Sequence, residues 1–417
     1  MTIFIVEPYT RSPGHFERWA VRTCEALARL QNDVTLVTYG GLSARSSKNP
    51  LAFSVLKAAP DDVGCSDWRA HRGKIQLNSF RTFFRREMWE LRTFALTASA
   101  TRRRELCVVH FHDADPILLS FVISLMLRGK RTRPIIVLAV HEMIRLTTPQ
   151  GLKRKVYYWL YRHCLGRLIR RQVDGVLVFD PSLKQGLITH FGLNPELAER
   201  IRVLPHGIGD PVEALSKEEA RRRLGLGPTE TIFLVFGILR KDKRIGIAIE
   251  AIKGLAGCRL IIAGGPHDFT EAMVKELIQR NGCEQWVATE VGYVSEDRMH
   301  DYFSACDAAI IPYDNSFKGQ SGILTLACGH GRAVIASDVG ALGDAVKKNR
   351  IGFAVEPENT SALREGILRF LSLAAEERGR MEQRVRSYAE SMTWDSACRE
   401  WVHFYQTLLT RRSLGRD

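Results

Sequence analysis

The chain has 417 residues, 45% of them hydrophobic and 25% charged, which excludes a disordered or fibrous protein and provides material for two domains. Sixty Lys and Arg against 46 Asp and Glu leave a net charge of +14, so the expected partners are acidic: nucleic acid, anionic lipid or phosphate-bearing substrates. Nine cysteines stand far apart with no C-x-x-C pair, a usage that speaks for reduced, buried thiols in a cytoplasmic compartment and against a zinc site.

Short runs rich in β-branched residues alternate with longer amphipathic segments, the pattern of parallel sheets covered by helices. The predicted strands of the first half are Ile3–Val6, Asp33–Thr38, Cys107–Phe111, Pro134–Val140, Gly175–Val178 and Arg202–Leu204. Met1–Glu7 reads as a first strand rather than an export leader, because no basic residues precede the apolar run and an acid follows at once. Phe16, Ala20, Leu27 and Leu30 fall at helical spacing after it. The segment 41–74 is less periodic, richer in Ser, Gly and charge, and is expected to be a long loop. Pro116–Leu127 is the longest strongly apolar run, and its dozen or so residues fall short of the ~20 a membrane span needs, so a buried helix is predicted.

Beyond Pro205-His206-Gly207-Ile208-Gly209-Asp210-Pro211 the chain turns polar, and a linker is placed near 207–215. Ser216-Lys217-Glu218-Glu219 is a capping box opening a short basic helix that ends at Gly225. A second strand series follows: Thr231–Phe236, Arg259–Ala263, Trp286–Ala288, Asp307–Ile311, Ala333–Ala336 and Gly352–Val355. The expected organisation is two doubly wound domains facing each other.

In open parallel sheets, ligands bind beyond the carboxyl ends of the strands, so the residues just past each strand carry the chemistry. In the first half these are Ser12-Pro13-Gly14-His15, His112-Asp113-Ala114-Asp115 and His141-Glu142, three strand ends each bringing a histidine. In the second half Gly237 ends a strand and opens a cationic loop through Arg240, Lys241, Lys243 and Arg244. Gly319-Gln320-Ser321-Gly322-Ile323-Leu324-Thr325 precedes an apolar helical stretch, where backbone N–H groups and the helix dipole favour an anion. Arg240, Lys243 and that helix start form a candidate pyrophosphate cradle that calls for no metal. No G-x-G-x-x-G follows the first strand, so a single-domain dinucleotide fingerprint is not present.

Pro13-Gly14-His15-Phe16-Glu17-Arg18, Val109-His110-Phe111-His112-Asp113, Ile201 through Gly207, Phe236 through Lys243, Leu260 through Gly265, and Ser321-Gly322 through Gly340 occur in an order and spacing that resembles the family-4 glycosyltransferases of the GT-B fold over nearly the whole chain. The resemblance implies an α/β GT-B architecture: two facing Rossmann-like domains with a cleft between them, 1–210 for the acceptor and 211–390 for the nucleotide sugar, and a C-terminal helix in 391–417 crossing back to the first domain. It implies sugar transfer from a nucleotide-activated donor with retention at the anomeric carbon, with no cofactor and no metal. By position, Arg240 and Lys243 match the loop on the diphosphate, Ser321 with the backbone of Gly322, Ile323 and Leu324 the phosphate-facing helix start, and Tyr293 the region near the base. Gly14 and His15 match the glycine-rich turn near the diphosphate or acceptor, and His141 the strand-end histidine close to the transferred sugar. One departure stands out: Lys318 and Leu326 occupy positions where many members carry two glutamates, the second on the donor ribose.

Cations concentrate at Arg81, Arg85, Arg86, Arg92 and Arg102-Arg103-Arg104, and again between Lys153 and Arg171, where they interleave with Val156, Tyr157, Tyr158, Trp159, Leu160 and Tyr161. Such a mixture suits an anionic membrane interface, and equally a core-facing helix with a solvated basic side. The expectation is a cytoplasmic protein attached peripherally to the inner face of the membrane, working on a sugar or lipid-linked acceptor in polysaccharide biosynthesis. Two rivals stay open: a sugar-nucleotide epimerase on the same architecture, and a non-catalytic basic binding protein. No nucleic-acid motif is present, and no nucleic-acid partner is expected.

Overall fold

The computed structural model describes residues 1–8, 16–40, 42, 52–59, 80–102, 106–112, 114–126, 133–141, 152–204, 207, 215–317 and 321–414. The chain divides into two compact units: Met1–Gly207 with Trp394–Asp417, and Ile208–Thr393.

The first unit is built on strands β1 (Thr2–Val6), β2 (Asp33–Thr38), β3 (Ser54–Lys57), β4 (Cys107–Phe111), β5 (Ile135–Val140), β6 (Gly175–Val178) and β7 (Ile201–Val203). They pair in the order β3-β2-β1-β4-β5-β6-β7, parallel throughout. Strand alternation sends Ile3 and Ile5 to one core and Phe4 and Val6 to the other, so both faces of the sheet are covered. Strand β3 lies inside the segment expected to be a loop. It is a four-residue edge strand whose outer residues, Ser54 and Lys57, are exposed, which leaves it only two apolar positions to announce it in the sequence.

The second unit carries β8 (Thr231–Phe236), β9 (Cys258–Gly264), β10 (Val287–Val291), β11 (Ala308–Ile311), β12 (Ala333–Ser337) and β13 (Gly352–Val355), in the order β10-β9-β8-β11-β12-β13. Strand β10 runs three residues further than the sequence suggested, because Thr289 and Glu290 are tolerated on an edge where one side of the backbone faces no neighbour. Before this sheet, Ser216 caps helix Lys217–Leu224 by accepting from the Glu219 N–H, and Gly225 ends it in the left-handed conformation.

Helix Pro116–Met126 is buried along most of its length, with Phe121 exposed. The last helix, Trp394–Ser413, belongs to the first unit: Trp394, Trp401, Phe404, Tyr405 and Leu408 are buried in the same cluster as Ile3, Ile5 and Trp19. Each of these large side chains contributes roughly 1.5–3 kcal/mol by leaving water. Arg412 and Arg133 both reach the nearly buried carboxylate of Asp174, Arg412 at 2.5 Å, which holds the end of this helix to the edge of β5 and β6.

Candidate active site

Each sheet reverses its strand order beside its own first strand, between β1 and β4 and between β8 and β11. At such a switch point the flanking loops diverge and leave room for a ligand at the carboxyl ends. The chemistry of both units gathers there.

In the first unit, Glu7 follows β1, His112 follows β4 and His141 follows β5. Glu7 Oε2 and His112 Nδ1 lie 2.5 Å apart with both side chains essentially fully buried, and the His112 ring stacks on Trp19. His141 Nε2 is 3.0 Å from the backbone carbonyl of His112. A carbonyl only accepts, so Nε2 carries a proton. The His141 ring meets His112 edge-on at 4.5 Å and lies against Phe179 at 4.7 Å. The third histidine of this region, His110, is structural: its Nδ1 is 2.6 Å from the Tyr405 hydroxyl, and burial, with His141 as a lesser neighbour, pushes it down to about 3, so it stays neutral. Gly14, His15 and Asp113 lie outside the described residues.

In the second unit, Gly237 stands at the end of β8 with φ +96° and donates its N–H to the Ala263 carbonyl. A Cβ there would sit 2.8 Å from Lys243 Nζ and 3.2 Å from Ile323 Cδ1, so strand end, lysine and helix start converge on one spot. Residues Lys241–Lys243 make one 3-10 turn, which folds Lys243 back until Nζ donates to the Phe236 carbonyl at 2.5 Å. Lys243 is only 5% exposed, and burial together with the nearby Arg240 charge lowers it to about 8. Arg240 forms a two-pronged pair with Asp242, Nε–Oδ1 3.0 Å and Nη2–Oδ2 2.8 Å. The turn is braced from behind: the Asp314 N–H donates to the Asp242 carbonyl, and Glu358 receives both Arg244 and Asn315.

Helix Gly322–Gly329 begins at this point, with Ser321 as its N-cap. Ser321 is buried, accepts the Leu324 N–H through Oγ at 3.3 Å and approaches the Tyr313 hydroxyl at 3.5 Å. The Leu324 amide is thus engaged by the cap and its side chain lies in the core, whereas the Gly322 and Ile323 amides belong to the first turn and have no partner within a helix. Of the residues expected at the phosphate helix, two therefore offer N–H groups, and Ser321 and Leu324 shape the turn. Tyr293, beyond β10, is 77% exposed. Leu326 packs on the core and Lys318 lies outside the described residues. Among the described residues no group of three or more His, Cys, Asp or Glu side chains is arranged to hold a metal ion.

Glu7 carries a signal in the sequence, an isolated acid at the end of an apolar run, although its pairing with His112 depends on the fold. His330 caps the other end of helix Gly322–Gly329, away from the cradle, stacked on Phe303 with the His300 nitrogen 2.9 Å away.

The fold is GT-B. A glycosyltransferase from Rickettsia africae superposes with TM-score 0.70 at 16% identity, covering 98% of each chain, and an Anabaena protein, Alr3699/HepE, solved in complex with UDP, with TM-score 0.65 at 16% identity over 99% of each. A model of the family "Glycosyl transferases group 1" matches residues 216–388, and one of "Glycosyltransferase Family 4" matches residues 16–210. The chain belongs to the family-4 glycosyltransferases. A glycosyltransferase of Methanocaldococcus jannaschii, MJ1607, is 28% identical over 266 residues, 61% of this chain and 65% of that one. The chain spans between half and two thirds of the length of the curated relatives it matches.

Proposed function

We propose that the protein transfers a sugar from a nucleotide-sugar donor to an acceptor hydroxyl with retention of anomeric configuration. The observation that carries this reading is the convergence of Gly237, the buried Lys243 ammonium and the first turn of helix Gly322–Gly329 on one spot beside the second sheet's switch point. The donor diphosphate lies there, contacted by Lys243, Arg240 and the Gly322 and Ile323 amides, with Tyr293 beside the base. The leaving charge is stabilised by fixed dipoles and cations that need no reorganisation during the reaction.

In the transfer, the acceptor oxygen bonds to the anomeric carbon as the bond from that carbon to the diphosphate oxygen breaks, and the acceptor's proton passes to the departing diphosphate. His141 hydrogen-bonds the transferred sugar or the acceptor hydroxyl; Gly14 and His15 complete the first unit's contribution. The acceptor is a lipid-linked or polysaccharide-precursor sugar, and the donor requirement accords with the Anabaena neighbour solved with UDP and with UDP-glucose.

A thermal-shift panel of nucleoside diphosphates and their sugars tests the reading, since a ligand that binds only the folded state raises its melting temperature. A shift with one diphosphate family, lost in Lys243→Ala, is expected. No shift with any of them removes the donor assignment.

A further inference from the structure

We propose that the outer face of helix Leu152–Arg167 is a docking surface for an anionic membrane, with Val156, Trp159 and Leu160 entering the headgroup boundary and the surrounding cations pairing with lipid phosphates.

The helix has already satisfied its own core. On its inner side Tyr161 and Leu165 are buried, the π-turn Leu168–Gln172 continues that side with Leu168 and Ile169, and the Tyr157 hydroxyl donates to Asp115 Oδ2 at 2.5 Å. These contacts fix the helix's rotation. At about 100° per residue, positions 155, 156, 159, 160, 163 and 167 then fall on one arc of roughly 140°. These six residues are exposed, with Trp159 at 62% and Val156 at 58%, while Gly166, which falls within the same arc, is buried. Among the described residues, Val156, Trp159 and Leu160 on that arc stay exposed, Trp159 stacked on the His163 ring, and they share the arc with Lys155, His163 and Arg167. Phe121, 62% exposed, lies on helix Pro116–Met126, which packs against this one.

Charge selects the occupant. From 152 to 172 the sequence carries Lys153, Arg154, Lys155, Arg162, Arg167, Arg170 and Arg171 and no acid, and the nearby Asp115 carboxylate is buried and engaged by Tyr157. Cations alternating with an indole and aliphatic groups on one helix face match an interface of anionic headgroups over acyl chains. A nucleic acid would pair with the cations and leave Val156 and Leu160 in water. The surface rests on the transferase reading only for its purpose, presenting a lipid-linked acceptor; its binding is independent of the donor cradle.

The test is vesicle co-sedimentation of the full chain with phosphatidylcholine alone and with phosphatidylcholine containing phosphatidylglycerol, at moderate and high salt. Binding only to the anionic vesicles, weakened by salt and about tenfold weaker in Trp159→Ser, is expected. Lys155→Glu with Arg167→Glu should abolish it, and brominated acyl chains should quench tryptophan emission in the native chain more than in Trp159→Phe. Equal, negligible binding to both vesicles overturns the proposal, as does binding indifferent to all three variants, or retention on single-stranded oligonucleotide without vesicle binding. The nucleoside-diphosphate shift measured on the same samples separates the two readings: kept in Trp159→Ser, it leaves the donor site standing if docking fails. A chain that binds vesicles and shifts with no diphosphate keeps the surface and loses the transferase reading.

Discussion

Glu7 Oε2 and His112 Nδ1 meet at 2.5 Å, joining the ends of β1 and β4 at the point where the first sheet reverses its order. The pair is buried, and the backbone carbonyl of His112 in turn receives His141 Nε2. Removing this buried carboxylate takes away the 2.5 Å contact to His112 Nδ1 and weakens the hold on the β4 end, whose carbonyl meets His141.

Under the proposed role of His141 in transfer, Glu7 is expected to act on it as a positioning residue, through His112. In Glu7→Gln the amide oxygen still accepts from Nδ1–H, so orientation is kept while charge is lost; in Glu7→Ala both go. Turnover should fall modestly in the first and roughly tenfold or more in the second, with the diphosphate thermal shift intact in both. If the two variants lose activity only in proportion to lost melting temperature, Glu7 is a packing residue.

Lys243 gives a pH prediction of definite sign. Its folded-state pKa of about 8 lies below the 10.5 of a free lysine, so the folded state binds the proton more weakly than the unfolded chain. The resulting cost to stability is fully present below about pH 8 and is relieved as pH rises from about 8 towards 10.5, the reverse of a salt-bridged lysine. Arg240 adds to the depression and Asp242 opposes it. An anion seated on Nζ restores the charged form, so diphosphate binding should take up a proton near pH 8 and weaken as pH rises through that value. Calorimetry in buffers of different ionisation enthalpy reads the uptake directly. Lys243→Met should lose diphosphate binding while raising stability at pH 7 by about 1–3 kcal/mol; a variant less stable than the native chain would contradict the assigned burial cost.

The resemblance to known relatives and the strand-helix alternation together made the fold class and most strands legible, because buried parallel strands such as Ile135–Val140 are continuous apolar runs. The edges were less legible. Ser54–Lys57 and the far end of Val287–Val291 pair on one side only and tolerate polar residues, so their strand character comes from the neighbour and not from their own composition. In the candidate site, Lys243 and the helix start stand out in the sequence by type and spacing. That Lys243 is buried, and that the Leu324 amide is engaged by Ser321, depends on a 3-10 turn and a cap geometry that spacing does not encode.

Gly237 and Gly264 make a contrasting pair. At Gly264, φ is +147° and an added Cβ would collide with the backbone of Gly237. Backbone cannot yield locally, so Gly264→Ala should cost about 2–4 kcal/mol of stability and displace the β8 end. At Gly237 the nearest obstacle is the movable end of Lys243, so Gly237→Ala should cost less in melting temperature and more in diphosphate affinity, because it pushes Nζ from its place. Denaturant melts paired with diphosphate titrations separate the two; equal losses on both readouts in both variants would contradict the geometry.

The C-terminal helix yields the last prediction. Trp401 is fully buried, 5.5 Å from the Trp19 ring and 5.2 Å from His110, and Tyr405 holds His110 by its hydroxyl. These contacts cover the face of the first sheet that carries Ile3, Ile5 and Leu36. Removing the indole leaves a cavity beneath β1 and β4, and Trp401→Ala should destabilise the first unit by roughly 3–5 kcal/mol. Because the second unit, Ile208–Thr393, has its own two clusters, its unfolding should move little, and calorimetry should resolve an early transition in place of a uniform shift. Tyr405→Phe removes only the hydroxyl and leaves His110 Nδ1 unpartnered in the core, at a cost of about 1–3 kcal/mol. If Trp401→Ala lowered both transitions equally, the helix would be stabilising the chain as a whole and not the first unit alone.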